Sequence, residues 1–180
     1  MSEIAGILAP QVAARLLQNL AGGPGKLMGG VPGTGPSYVV VIGGGTVGLS
    51  AARMAAALGA EVAVFDIDLE RLRYIDQVSH GVIKTLYSTP VAVAGELSRA
   101  DVVVGAVHIP GAKTPEVITG PMLGEMRKGT IVMDVAIDQG GSVEGARPTT
   151  HSHPTYPIDG VALYAVPNCR TSAIMGHLKG

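Results

Sequence analysis

Val39-Val40-Val41-Ile42-Gly43-Gly44-Gly45-Thr46-Val47-Gly48 is the stretch on which the reading of this chain turns. Residues 38–42, with four β-branched residues in succession, read as a strand buried on both faces. Residues 46–58, TVGLSAARMAAAL, read as the helix that follows. A GxGxxG spacing arises easily by chance in a chain with 26 glycines, so its place between a strand and a helix is what makes it informative. Gly43 permits the tight turn, Gly45 lets backbone approach a pyrophosphate with no Cβ in the way, and Gly48 allows the helix to pack close to the strand. The amides that open the helix, at the positive end of its dipole, then face phosphate charge.

A second element agrees with the first. The strand over residues 61–66 ends at Asp66, about 20 residues on, where a carboxylate accepts hydrogen bonds from adenosine ribose hydroxyls and repels a 2′-phosphate. That favours NAD over NADP. The plainer alternative makes Asp66 a cap for the next helix, a task for which Asp68 is better placed. Further along, helices over 69–79, 91–99 and 121–127 alternate with strands near 82–86, 102–107, 130–136 and 161–166. The pattern predicts an α/β fold of Rossmann type, a doubly wound and mostly parallel sheet with helices on both faces and every strand's carboxyl end on one edge.

Ahead of this unit, residues 2–20 read as a helix, with Ser2 and Glu3 as N-cap and first-turn acid and Ile4, Ile7, Leu8, Val12, Leu16 and Leu17 at helical spacing. Pro10 is expected to kink it or restart it near Ala9. The glycines and prolines of residues 21–37 make a connector. The chain therefore divides into an N-terminal helix and connector, 1–37, and a nucleotide-binding domain, 38–180, within one globular unit. Gly140-Gly141 and residues 147–159 read as loop.

Composition narrows the functional classes. Hydrophobic residues make up 47% and charged residues 15%, against about 25% charged in an average soluble domain, which suggests a surface covered by a partner. A formal net charge of −1 with no Lys/Arg cluster gives no field for a nucleic acid backbone. No apolar run approaches the roughly 18 residues that span a bilayer, so no membrane segment is expected. The single cysteine, Cys169, forms no internal disulfide, and no secretory leader opens the sequence, which points to the cytoplasm. His151, His153, Cys169 and His177 lack the paired short spacings of a structural zinc site, so no metal is expected. His108 falls at a strand's carboxyl end, where a neutral imidazole serves as a general base or simply sits packed or solvated near a ligand.

Taken together, MSEIAG at 1–6, GGVPG at 29–33, VVVIGGGTVG at 39–48, FDID at 65–68, GAVHIPGAKTP at 105–115 and MDVAIDQGGSVEGARPTTHSHPTY at 133–156 resemble the alanine dehydrogenases and the related alpha-subunit domain of pyridine nucleotide transhydrogenases. The last of these runs and DGVALYAVPN at 159–168 resemble alanine dehydrogenase more closely. The resemblance implies pyrophosphate contacts from Gly45, Thr46 and Val47, adenosine contacts from Asp66 and Arg71, and contacts around the rings from Ser88, Val107 and Val135, with Ser2 and Asn168 as fainter candidates. It also implies that Asp138 is the active-site aspartate beside the nicotinamide, where it orients substrate or a water. A loop carboxylate capping a turn toward Gly140 and Gly141 is the alternative for Asp138.

Departures from that pattern carry equal weight. In the family this segment belongs to a chain about twice as long, whose earlier half brings the arginine and lysine that grip pyruvate and a catalytic histidine. None of these is present here, and Met1 matches a methionine inside the family sequence. After Asn168, Cys169-Arg170-Thr171-Ser172 replaces a longer loop, and His108 stands where the family has an aliphatic residue. The resemblance thus implies the NAD(H)-binding domain of an alanine dehydrogenase-like oxidoreductase, inactive alone, in a homo-oligomer or beside a second polypeptide. A non-catalytic NAD-sensing or partner-binding module, a transhydrogenase-type subunit and a binder of S-adenosylmethionine are the alternatives.

Overall fold

Strand β1 (Tyr38–Ile42) is buried at all five positions, as a central strand covered on both faces must be. Alternate residues send side chains to opposite faces. Val39 and Val41 join a core with Ala51, Ala55, Val64 and Ile75, whereas Tyr38, Val40 and Ile42 join another with Phe65, Leu97, Val103 and Leu163. The computed structural model describes residues 2–109 and 111–167, with only the backbone of Ser2 and Leu20. Among these residues the elements run α1 (Ser2–Leu16), β1, α2 (Thr46–Ala57), β2 (Glu61–Asp66), α3 (Leu69–Ser79), β3 (Lys84–Tyr87), α4 (Pro90–Leu97), β4 (Val102–Gly105), α5 (Gly120–Glu125), β5 (Ile131–Asp134), β6 (Thr155–Ile158) and β7 (Val161–Tyr164).

The sheet has seven strands in the order β3-β2-β1-β4-β5-β7-β6, parallel except for β6. The doubly wound α/β reading holds. The order reverses between β1 and β4, which pair from Val39↔Val102 to Ile42↔Gly105, so the chain leaves these two neighbours for opposite sides and opens a crevice at their carboxyl ends.

Helix α1 lies against α2, and a Cβ at Gly6 would come within 2.3 Å of the Val47 carbonyl oxygen. That close approach joins the N-terminal helix to the wall of the crevice. The helix is a single element through Pro10, so the restart expected near Ala9 does not occur; it ends at Leu16 rather than near residue 20. The connector is tied down by Lys26, whose ammonium lies 2.7 Å from Asp101 Oδ1, while Asp101 Oδ2 accepts from the Tyr38 amide at 2.9 Å.

Residues 147–159, read as loop, contain β6. This edge strand pairs antiparallel with β7 through a two-residue turn in which Asp159 and Gly160 have φ of 47° and 87°. Two positive φ values define a hairpin turn that Asp-Gly favours, and Pro157 is tolerated because an edge strand needs few donors.

Candidate functional site

At the switch point a cavity of about 840 Å³ runs along the carboxyl ends of the strands. Its floor is the glycine turn. Gly43 has φ 99°, open to glycine but costly for other residues, and a Cβ there would stand 2.7 Å from the Ala106 carbonyl oxygen. Its amide donates to the Phe65 carbonyl at 2.8 Å, and the Gly44 amide donates to Asp66 Oδ2 at 2.7 Å. These bonds occupy the first two amides of the turn, so the donors left to face the cavity begin at Gly45. Gly45 is the N-cap of α2 and supplies no side-chain acceptor to the helix start. The amides of the first turn of an α-helix have no carbonyl four residues back, so this end of α2 offers donors and positive potential to whatever fills the cavity.

The two remaining glycines of the motif differ in kind. A Cβ at Gly48 would lie 1.7 Å from the Gly43 carbonyl oxygen, so Gly48 serves helix packing and does not line the cavity. A Cβ at Gly45 would meet nothing within 4 Å. Open space above a glycine with φ −66° is what a bound anion against the backbone requires, and the chain's own folding requires nothing of the kind there.

Asp66, 6% exposed, ends β2 beside this turn. Its Oδ1 accepts from the Asp68 amide at 2.9 Å, and its Oδ2 lies 3.2 Å from an Arg71 guanidinium nitrogen as well as bonding Gly44. Capping of α3 is done by Asp68, which accepts from the Glu70 and Arg71 amides at 3.0 and 3.3 Å. A carboxylate has about four acceptor positions, and with three donors already bound Asp66 retains capacity for a hydroxyl from the cavity it borders. Ser88, which donates its amide to the Asp66 carbonyl at 2.9 Å, borders the same end.

Across the switch point the cavity is walled by Val107 after β4 and by Val135 after β5. Asp138 and Gln139 follow on an exposed 3₁₀ turn. His108 Nδ1 is hydrogen-bonded to the Gln139 side-chain oxygen, and His108, Asp138 and Gln139 all line the cavity. Of the predicted residues, Gly43, Gly45, Thr46, Val47, Asp66, Arg71, Ser88, Val107, Val135 and Asp138 all border the one cavity. For Ser2 the backbone alone is described, at the start of α1, and Asn168, Cys169 and His177 lie outside the described residues.

Gln139 and the buried Asp134 behind it were not singled out from the sequence. Nothing in the string DVAIDQGG separates an interior aspartate from a surface one. Among the described residues no three His, Cys, Asp or Glu side chains converge as a metal site would need, and no helix is long and apolar enough to cross a membrane.

Comparison with known proteins bears on the same residues. The family described as "Alanine dehydrogenase/PNT, C-terminal domain" matches residues 9–174. The alanine dehydrogenase of Mycobacterium tuberculosis (strain ATCC 25618 / H37Rv) is 48% identical over 172 residues, covering 96% of this chain and 46% of that protein. The alanine dehydrogenase of Bacillus subtilis (strain 168) is 47% identical over 180 residues, covering 97% of this chain and 48% of its own length. Among solved structures, an L-alanine dehydrogenase superposes with a TM-score of 0.92 at 45% identity over 96% of this chain and 48% of that one. A transhydrogenase from Sinorhizobium meliloti gives 0.75 at 27% identity, with 93% and 47% covered. The chain spans about half the length of these relatives. With the glycine turn, the terminal acid of β2 and the β5 loop on one crevice, and a family match running through all three, the chain belongs to the alanine dehydrogenase/PNT C-terminal domain family.

Proposed function

We propose that the crevice binds NAD(H), with the diphosphate on the amides of Gly45, Thr46 and Val47. One observation carries this reading: the uncapped start of α2 opens at a glycine whose Cβ side is empty, next to a buried carboxylate at the end of β2. Asp66 takes the 2′-hydroxyl of the adenosine ribose, and Arg71, held against Asp66, flanks the adenosine. A dinucleotide anchored so extends its other half across the switch point, past Val107 and Val135 toward Asp138. When bound, the nicotinamide ring supplies a carbon that accepts or returns hydride.

What this chain's residues do there is to hold and orient. Asp138, exposed on the crevice wall, orients an amino or keto acid or a water; His108 and Gln139, paired with each other, line the same crevice. Among the described residues that line the crevice on the Asp138 side there is no lysine or arginine to grip a substrate carboxylate. The reaction that the relatives' name denotes, L-alanine with water and NAD giving pyruvate, ammonia, NADH and a proton, therefore needs a substrate-binding part from a longer chain or a second polypeptide, since proximity supplies much of the rate. We place this assembly in the cytoplasm as a homo-oligomer, in keeping with a chain only 15% charged.

Calorimetric titration with NAD, NADP and S-adenosylmethionine tests the reading. NAD is expected to bind most tightly and S-adenosylmethionine not at all; preference for S-adenosylmethionine would overturn it. Mixed with NAD and L-alanine, the chain alone is expected to show no rise in reduced-nicotinamide absorbance, and steady turnover would refute the need for a second part.

A further inference from the structure

Asp134, the last residue of β5, is 1% exposed and lies behind the crevice wall. Its Oδ1 accepts from the Ala136 amide at 3.1 Å and from the Ser142 hydroxyl at 3.0 Å. Its Oδ2 accepts from the amides of Ser142 and Val143 at 3.0 and 3.3 Å. Every one of these donors belongs to the loop that leaves β5. Ala136 opens the loop and Ser142 with Val143 closes it, so one carboxylate joins its two ends and fixes the span between them.

That span carries Asp138 and Gln139 on the cavity wall. Neighbours brace the join. A Cβ at Gly105 of β4 would fall 2.0 Å from the Ser142 hydroxyl, so a larger residue there would push that hydroxyl off Asp134. The Ser142 carbonyl accepts from the amides of Val117 and Ile118 at 2.9 and 3.0 Å, and the Gln139 carbonyl from the Thr114 amide at 2.9 Å.

We propose that Asp134 is a positioning residue, tying the ends of the 136–143 loop together so that Asp138 and Gln139 shape the nicotinamide half of the crevice. The proposal rests on the reading of the crevice as an NAD(H) site. Burial pushes the Asp134 carboxyl up from its ordinary value, against the pull of the Ser142, Val143 and Ala136 donors that favour its charged form. Among the described residues, those donors are what hold the carboxylate in the protein's interior.

The loop borders only the side of the crevice away from Asp66. Disturbing it must therefore affect the nicotinamide half and spare the adenosine half. Asp134→Asn keeps the shape but turns one oxygen into an NH2 group that faces backbone donors, which forces the loop to move. Ser142→Ala removes the hydroxyl bond and leaves the amide bonds in place.

The experiment compares NADH with ADP-ribose, which lacks the nicotinamide, by calorimetry on the wild-type chain and both variants, together with the fluorescence of bound NADH. Asp134→Asn is expected to weaken NADH about tenfold, the scale of one hydrogen bond to a charged acceptor, to blunt its fluorescence enhancement, and to leave ADP-ribose within about twofold. Ser142→Ala should show the same selectivity with a smaller loss. It carries the test if the asparagine variant does not fold. Equal losses for both ligands, or no loss for NADH, would overturn the positioning role while the NAD(H) reading stands. A wild-type chain that binds neither ligand would bring down both.

Discussion

Replacing Asp66 with alanine separates what the carboxylate does for the fold from what it does for the ligand. In the structure it accepts from the Gly44 and Asp68 amides at 2.7 and 2.9 Å and from Arg71 at 3.2 Å. Losing these loosens the glycine turn, and that part of the effect falls alike on every dinucleotide. The contact to the ribose 2′-hydroxyl is lost for NAD alone, because NADP carries a phosphate at that position. Hydrogen bonds to a charged acceptor contribute about 1.5–3 kcal/mol, and about 1.4 kcal/mol is tenfold in affinity. NAD is therefore expected to weaken roughly 10- to 150-fold beyond any loss shared with NADP. For NADP two changes act the other way: the repelling carboxylate is gone, and Arg71 is released to meet the 2′-phosphate. With no tryptophan in the chain, calorimetry is the direct assay. Equal losses for the two cofactors would refute the role given to Asp66.

Asp68→Ala offers the control, because Asp68 caps α3: stability should fall by about 1 kcal/mol in denaturant unfolding while the NAD to NADP ratio stays where it was. Gly45→Ala and Gly48→Ala should part company. The Gly45 methyl enters open cavity, so unfolding changes by under about 1 kcal/mol and NAD affinity falls. The Gly48 methyl meets a backbone carbonyl at 1.7 Å, so stability drops by about 1–3 kcal/mol or more before binding is considered. Glu96 predicts an acid limb. Burial raises its carboxyl, but hydrogen bonds from Tyr38, Arg99 and Lys84 outweigh it and hold the group down at about 2, from an ordinary 4.5. A depressed folded-state value means stability present above about 4.5 and lost as pH falls toward about 2. Glu96→Gln should accordingly be less stable than wild type near neutrality, with the deficit shrinking across that window in denaturant midpoints taken against pH.

The sequence made some of this legible because the relevant forces are local. The bounds of β1, β2 and α3 read from residues alone coincide with the observed ones, since glycines end the first, an acid ends the second and Asp68 caps the third. The crevice itself follows from strand order, which the handedness of parallel crossovers restricts to few choices. Strand β6 was missed because Pro157 argues against a strand, although Ile158-Asp159-Gly160-Val161 carries a hairpin signal. Asp134 was missed for another reason. It sits four residues before Asp138, and only the fold shows that one carboxylate is sealed behind the wall with four loop donors while the other stands on its surface. The pairing of His108 with Gln139 spans 31 residues and has no local trace. The same holds for the tie between Lys26 and Asp101.

The central claim is that the start of α2 holds a diphosphate while Asp66 holds the neighbouring ribose. A crystal structure of this chain grown with excess NAD tests it most directly. The account predicts diphosphate oxygens within hydrogen-bonding distance of the Gly45, Thr46 and Val47 amides, the adenosine ribose 2′-hydroxyl on Asp66, and the nicotinamide between Val107 and Asp138. A crevice left empty at saturating NAD, or a dinucleotide seated elsewhere on the protein, would contradict it.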